Sequence, residues 1–157
     1  MKSASEAICL QEIPDEVSLS LAISNCPCHC EGCHSQYLWE DIGRDAFEVL
    51  CQQLEQYGDL ITCVLFLGGD DQKQKEDLIR CLKYVRLHFP KLKTALYSGF
   101  ESVSLDILKL LDYVKIGPYR QDLGGLSSPT TNQRLYKIDG GELIDITSIF
   151  WKRPYQL

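Results

Sequence analysis

The chain lacks any long apolar run. Its longest uninterrupted apolar segment covers residues 63–67, whereas a helix that crosses a bilayer needs about 20 such residues. The first fourteen residues also lack the apolar core of roughly 7–15 residues that marks a secretory signal peptide. We therefore expect a soluble, cytoplasmic protein that does not bind membranes.

Positive charge is also scarce. The 157 residues include 16 lysines and arginines against 22 aspartates and glutamates, for a net charge of −6. This balance disfavours general binding to nucleic acid. Apolar residues make up 45% and charged residues 24% of the chain, which is ordinary globular composition. The length fits one domain over residues 1–157, large enough to bury a core without disulfides or metals.

Cysteine is too infrequent for a disulfide scaffold but is unevenly placed. There are eight cysteines, and four of them fall within residues 26–33. Eight cysteines are about 5% of the chain, below the ~8–10% that is typical of small disulfide-rich proteins. A crowded cluster in a reducing compartment more often indicates metal or redox chemistry. The cysteines at 51, 63 and 81 lie in helix or strand patterns and fit core packing.

Hydrophobic periodicity predicts alternating strands and helices. The predicted strands are residues 17–23, 61–67, 94–98 and 113–116, and the predicted helices are residues 45–58, 72–88 and 103–111. This alternation is typical of βαβ units and a parallel sheet. A complete barrel of eight units needs about 200 residues or more. The predicted fold is therefore α/β, an incomplete and open parallel (β/α) barrel.

The chain after residue 117 follows a different pattern. Residues 118–133 form a long polar segment, and loops of that length in compact domains are usually functional or disordered. Two short strand patterns follow at residues 134–138 and 142–146, on either side of an Asp-Gly-Gly turn. The sequence thus predicts a C-terminal hairpin.

Two motifs follow consecutive predicted strands. The cysteine cluster comes after residues 17–23, and Gly68-Gly69-Asp70 comes after residues 61–67. Ligands of parallel α/β folds bind beyond the carboxyl ends of the strands. The two motifs therefore point to one site at the same edge of the sheet.

Within the cluster, Cys26, Cys30 and Cys33 have the spacing C-x3-C-x2-C. Three thiolates are one short of the four that close a structural zinc or iron–sulfur site, so one metal position stays open. A structural zinc in a non-enzymatic interaction module is an alternative, since Cys28, His29 or His34 could supply a fourth ligand. A thiol-redox protein is a second alternative, although no isolated C-x-x-C pair precedes a helix.

The cysteine spacing after the first strand resembles that of the radical S-adenosylmethionine enzymes. The resemblance implies that Cys26, Cys30 and Cys33 hold a 4Fe–4S cluster and that S-adenosylmethionine chelates its fourth iron. Gly68-Gly69-Asp70 is similar to the family's Gly-Gly-Glu motif, which contacts the amino group of the cofactor. The resemblance also implies the open barrel of that family.

Further segments narrow the resemblance to a subfamily. Residues 30–34, 112–119, 125–128 and 132–134 are similar to segments of the activating enzymes of anaerobic ribonucleoside-triphosphate reductases. That subfamily implies reductive cleavage of S-adenosylmethionine to a 5′-deoxyadenosyl radical, which takes a hydrogen from a glycine of the reductase. The implied partners are this glycyl-radical protein and an electron donor such as flavodoxin or ferredoxin. An activase of another glycyl-radical enzyme, or another small radical S-adenosylmethionine enzyme such as a modified-base synthase, would share the same motifs.

The resemblance suggests further cofactor contacts. Gly32, Cys33 and His34 lie at the expected edge of the cluster and are candidates for touching the cofactor. Ser98 and Asp112, near the ends of the third strand and third helix, are candidates for ribose or positioning contacts. A turn or capping role is the alternative for each of these two residues.

Three features depart from the resemblance. Gly32 stands where the superfamily often has an aromatic residue, and residues 129–131 interrupt a Ser-Ser-Asn-Gln pattern as an insertion would. Cys28 is an additional cysteine. Because the spacing of the other three is complete without it, we expect Cys28 to be a bystander.

Overall fold

The computed structural model describes residues 1–151 and contains one eight-stranded sheet with helices on one of its faces. The strands are β1 (Lys2–Cys9), β2 (Ser18–Ile23), β3 (Arg44–Asp45), β4 (Cys63–Leu67), β5 (Lys93–Tyr97), β6 (Tyr113–Ile116), β7 (Arg134–Asp139) and β8 (Glu142–Asp145). The α-helices are α1 (Ala46–Tyr57), α2 (Lys75–His88) and α3 (Leu105–Leu108), and short 3-10 helices span Gln36–Trp39 and Thr147–Trp151. The predicted domain continues to residue 157, and its last six residues lie outside the described part. No helix in residues 1–151 is long and apolar enough to span a membrane.

The sheet is mixed and open. Its strand order is β3-β1-β2-β4-β5-β6-β7-β8, so β3 and β8 form separate edges and the sheet does not close. β2, β4, β5 and β6 are parallel to one another, whereas β1, β3, β7 and β8 pair antiparallel. The predictions of an open α/β sheet and of a C-terminal hairpin are confirmed. The predicted parallel arrangement holds for the four central strands, and the antiparallel N-terminal flank of β1 and β3 was not predicted.

The sequence analysis did not predict β1 and β3, the two strands of the N-terminal flank, because their sequences carry little apolar alternation. β1 has the sequence KSASEAIC and exposes most of one face, so it offers little apolar alternation. β3 has only two residues, both exposed, and is held by pairing with Lys2 and Ser3 of β1. Such strands form because a neighbouring strand offers free backbone groups, which local propensity does not report.

Two apolar layers cover the faces of the central strands. On β4, Val64 and Phe66 face the helices and pack with Leu50 of α1 and Leu82 of α2. Residues alternating with them, including Leu65, face the other side, where the loop before β2 and the segment around the C-terminal 3-10 helix contribute apolar side chains. Because both faces of β4 are covered, its sequence is continuously apolar, as the sequence analysis predicted.

The third helix is shorter than predicted. α3 has a single turn, Leu105–Leu108, whereas the apolar spacing predicted a helix over 103–111. After it, the N–H groups of Leu110 and Leu111 donate to carbonyls three residues earlier, so the chain tightens instead of extending the α-helix. Only Ile107 of the helix is buried.

The central packing of α2 generates a stability prediction. The Leu82 side chain is 0% exposed, whereas Leu87 on the same helix is 75% exposed. Leu82→Ala should lower the free energy of unfolding by about 2–5 kcal/mol, because it leaves a cavity between helix and sheet. Leu87→Ala is the matched control and should change it by less than about 0.5 kcal/mol. Urea denaturation followed by circular dichroism measures both, and equal losses would contradict this account of the core.

Candidate iron–sulfur site

The cysteine-bearing segment is a loop, residues 24–35, that leaves the carboxyl end of β2. The N–H of Cys26 donates to the Leu38 carbonyl at 2.9 Å, and the N–H of Asn25 donates to the Glu40 carbonyl at 3.2 Å. The Asn25 side chain donates to Asp41 at 2.9 Å. The loop is therefore anchored along the segment around the first 3-10 helix, and its cysteines are placed over the end of the sheet.

The four thiols of the loop are unpaired and half-buried. The neighbouring Cys28 thiol, and then the backbone N–H groups of Cys28 and His29, stabilise the Cys26 thiolate and lower its pKa to about 6. The Ser35 N–H donates to the Cys33 sulfur at 3.3 Å. N–H groups directed at sulfur favour the thiolate, which is the form that binds metal.

The glycine motif forms the second wall of the site. Gly68 and Gly69 follow β4 with φ angles of +95° and +100°, a region that strains any other L-residue. The Gly68 N–H donates to the Tyr97 carbonyl at 3.0 Å, which holds the turn against β5. A side-chain carbon on Gly69 would lie 2.7 Å from the Met1 sulfur. The two glycines let the backbone fold closely over the end of the sheet.

Two residues that the sequence analysis proposed separately are joined in the structure. The Ser98 hydroxyl donates to the Asp70 carboxylate at 2.6 Å and accepts from the Phe100 N–H at 3.0 Å. Burial raises the pKa of Asp70, and the hydrogen bond from Ser98 opposes that shift. Ser98 thus orients the carboxylate of the glycine motif.

The cysteine loop and the glycine motif enclose a common cavity of about 320 Å³. Cysteine side chains line one side, and the glycine turn with Asp70 lines another. Aromatic side chains complete the wall, namely Trp39, Tyr97 and Phe100. The structure therefore brings the two motifs together at the carboxyl edge of the parallel strands, where the sequence analysis placed them.

Two of the proposed cofactor contacts lie on the other side of the cysteine loop. The Gly32 α-carbon faces Gln121, whose side chain would lie 2.9 Å from an added methyl group. The His34 ring is exposed and lies 5.5 Å from the Tyr119 ring, between centroids. Both residues face the segment 118–133 and do not line the cavity with Asp70.

Asp112 is not part of this site. It precedes β6, at the edge of the sheet opposite to the cysteine loop, because parallel strands begin at one edge and end at the other. Its carboxylate accepts from the Thr94 N–H at 2.9 Å and pairs with Arg86 at 3.5 Å. The structure therefore does not bring Asp112 to the cavity, where a ribose or positioning contact was predicted, and Asp112 ties together the starts of two strands.

Cys28, which the sequence analysis expected to be a bystander, lines the cavity, and Lys115, which it missed, lies beside it. Cys28 packs against Gly99, where an added methyl group would lie 2.7 Å from the Cys28 sulfur. Lys115 is 8% exposed and extends beneath the Tyr97 ring, with its ammonium nitrogen 5.5 Å from the ring centroid. A lysine inside a strand that is otherwise apolar and buried is a signal that could have been read from the sequence.

The donor set fits a cluster better than a single zinc ion. Within residues 1–151, no three His, Cys, Asp or Glu side chains converge as a mononuclear metal site requires. Tetrahedral zinc needs thiolates about 3.8 Å apart, whereas the cysteines of an iron–sulfur cluster bind different irons and need not meet. Cys26, Cys28 and Cys33 line the cavity, whereas Cys30 is half-buried in the same loop outside that lining. The loop therefore offers separate thiols that could bind different irons.

Comparison with known families agrees with this donor set. A model of the 4Fe-4S single cluster domain matches residues 16–138, more than three quarters of the chain. The chain belongs to the 4Fe-4S single cluster domain family. The match includes the cysteine loop, the glycine motif and the segment 118–133, and it confirms the prediction of an iron–sulfur protein. No curated protein and no solved structure matches the chain significantly.

The position of Asp112 predicts that this residue stabilises the fold and does not contribute to iron binding. Asp112→Ala leaves the N–H of the buried Thr94 without its acceptor, so the free energy of unfolding should fall by about 1–3 kcal/mol. The iron content of the reconstituted protein should not change. Asp106→Ala, which removes only a surface ion pair with Lys75, is the control and should cost less than about 1 kcal/mol. Iron loss without a stability change would show that Asp112 serves the cluster after all.

Proposed function

We propose that this iron–sulfur protein is a radical S-adenosylmethionine enzyme that activates an anaerobic ribonucleoside-triphosphate reductase by generating its glycyl radical. The observation that carries the proposal is the shared cavity between the C-x3-C-x2-C loop and the Gly68-Gly69-Asp70 turn. A structural cluster has no need of a second, carboxylate-bearing wall. A cluster that binds a co-substrate needs such a wall, because the co-substrate must also be held by the protein.

In this proposal Cys26, Cys30 and Cys33 hold the cluster, and Cys28 is a neighbour. A 4Fe–4S cluster bound there supplies one electron for reductive cleavage of the carbon–sulfur bond of S-adenosylmethionine, and one of its irons is left without a protein ligand. The protein contributes a partly enclosed cavity that Cys26 and Cys33 line, and Cys30 lies in the same loop outside that lining. The Ser35 N–H on Cys33 and the stabilised thiolate of Cys26 favour metal binding there.

The glycine motif is suited to an amino-acid ammonium group. Backbone carbonyls are accessible where two glycines carry no side chains, and the Asp70 carboxylate is a charged acceptor. Ser98 holds that carboxylate from behind at 2.6 Å. The shorter aspartate replaces the glutamate of the resembled motif, so the acceptor lies closer to the backbone of the turn. Trp39 and Phe100 add apolar surface that limits water in the cavity.

The open sheet is consistent with a protein substrate. Because β3 and β8 do not pair with each other, the sheet stays open, which would leave room for a loop of a partner protein to approach the cavity. We propose that this partner is the glycyl-radical reductase, that the electron donor is a flavodoxin or ferredoxin, and that the reaction takes place in the cytoplasm.

The ligand assignment predicts which cysteine variants lose the cluster and which keep it. Anaerobically reconstituted protein should bind about four irons per chain. Cys26→Ala, Cys30→Ala and Cys33→Ala should each lose most of the iron and the cleavage of S-adenosylmethionine. Cys28→Ala should keep the cluster, as should Cys51→Ala, a control in helix α1 away from the loop. Iron analysis, visible absorption and electron paramagnetic resonance measure these outcomes.

Two results would overturn the assignment. Complete loss of iron in Cys28→Ala would show that the ligand set was chosen wrongly. A colourless protein that contains zinc and no iron would favour the interaction module instead.

The choice of partner is tested by activation. Reduced protein, S-adenosylmethionine and an anaerobic ribonucleoside-triphosphate reductase should together give the doublet resonance of a glycyl radical, with methionine and 5′-deoxyadenosine as products. The Cys30→Ala variant is the matched negative control. A glycyl radical on a different glycyl-radical enzyme, with none on the reductase, would assign the protein to another activase. Cleavage of S-adenosylmethionine with no protein radical at all would favour a small-molecule substrate.

A further inference from the structure

Lys115 is the one buried lysine, arginine, aspartate or glutamate among residues 1–151. It lies on β6 in register with Tyr97 of β5, which is in turn in register with Leu67 of β4. Paired residues in a sheet face the same side, so all three point away from the helices. Apart from Lys93 at the opposite end of β5, the other side chains on that face of β4, β5 and β6 are apolar or aromatic, which makes a buried charge there costly.

The ammonium group has few neutralising contacts within the protein. Its nitrogen donates to the Gly117 carbonyl at a long 3.4 Å and lies 5.5 Å from the Tyr97 ring centroid. Within the described residues 1–151, Lys115 takes part in no ion pair. An ammonium carries three donors, so two are left without a protein partner.

The groups that face Lys115 are acidic ones of the candidate site. Burial lowers the pKa of Lys115 to about 8, and four groups oppose that shift: Cys30 first, then Asp70, Cys28 and Cys26. The cysteines approach from the loop after β2, and Asp70 approaches from the turn after β4. The geometry agrees, because Tyr97 and Leu67, the residues in register with Lys115, line the cavity together with Cys26, Cys28 and Cys33. Lys115 is therefore buried beside the candidate site.

We propose that Lys115 is a positioning residue that provides the counter-charge of the iron–sulfur cluster and raises its reduction potential. The inference rests on the proposed assignment of the cluster to the cysteine loop. Reduction adds one negative charge to the cluster, so a fixed positive charge nearby stabilises the reduced form more than the oxidised form. Burial and net charge around a cluster are recognised determinants of its potential.

Lys115 could instead bind the carboxylate of S-adenosylmethionine. The two roles differ in whether their effect requires bound S-adenosylmethionine. A counter-charge shifts the potential of the cluster without any ligand, whereas a carboxylate anchor changes only the affinity for the ligand. The decisive measurement is therefore made in the absence of S-adenosylmethionine.

The test compares the reconstituted full chain with Lys115→Met, which keeps the length of the side chain without its charge, and Lys115→Arg, which keeps the charge. Lys137→Met is the matched control, since it removes the same charge from an exposed position on the neighbouring strand β7. Each protein is titrated with dithionite under potentiometric control. The fraction of reduced cluster is followed by electron paramagnetic resonance, and iron content is measured in parallel.

In Lys115→Met, the ratio of reduced to oxidised cluster at the wild-type midpoint should fall about tenfold, a shift of roughly 59 mV to lower potential. Lys115→Arg should restore most of the shift, and Lys137→Met should leave the potential unchanged. Loss of iron in Lys115→Met with retention in Lys115→Arg would also support the counter-charge role, because only the charge distinguishes them.

Three results would overturn the inference: an unchanged potential in Lys115→Met, a change confined to the affinity for S-adenosylmethionine, or loss of iron in both Lys115 variants. If the wild-type chain itself bound no iron, the proposed function would fail instead. That outcome is visible before any variant is made.

Discussion

The parallel pairing of β2, β4, β5 and β6 is the constraint on which the site depends. Their register aligns Ala22, Leu67, Tyr97 and Lys115 across the sheet, within a residue or two of where each strand ends. The loops that follow therefore start side by side along one edge. The cysteine loop, the Gly68-Gly69-Asp70 turn and Ser98 are far apart in the chain. They meet at this edge because the hydrogen bonds between parallel strands fix where each strand ends. Antiparallel pairing would send alternate loops to opposite edges.

Electrostatics at that edge follow from burial. The thiols of the cysteine loop, the Asp70 carboxylate and the Lys115 ammonium all lie in surroundings that disfavour isolated charge. Asp70 is consequently harder to ionise and Lys115 easier to deprotonate than in water, while the Cys26 thiolate is stabilised by nearby donors. A bound cluster and a charged co-substrate would change this balance.

The segment 118–133 is ordered by its own hydrogen bonds, and its ends are joined. The Gln133 side-chain amide donates to the Gly117 carbonyl at 3.2 Å, and the Asn132 side-chain amide donates to the Pro118 carbonyl at 3.0 Å. The Gly117 carbonyl also accepts from Lys115. The Gly-Pro and Asn-Gln motifs, which the sequence showed only as separate similarities, thus close one loop against the end of β6. This loop also supplies Tyr119 and Gln121, which contact the outer side of the cysteine loop.

The sequence by itself determined the α/β alternation, the hairpin, the crowding of cysteines and the iron–sulfur class, because these follow from local periodicity and spacing. It did not reveal β1 and β3, whose polar residues form strands only when a neighbour pairs with them. It did not reveal that Asp112 lies away from the cavity, because nearness to a strand in the chain does not say which end of the sheet is involved. Only the tertiary structure decided that Ser98 supports Asp70, that His34 does not line the cavity, and that Lys115 is buried next to Tyr97. Each of these depends on register between strands, and register is a relation between distant segments that no local pattern contains.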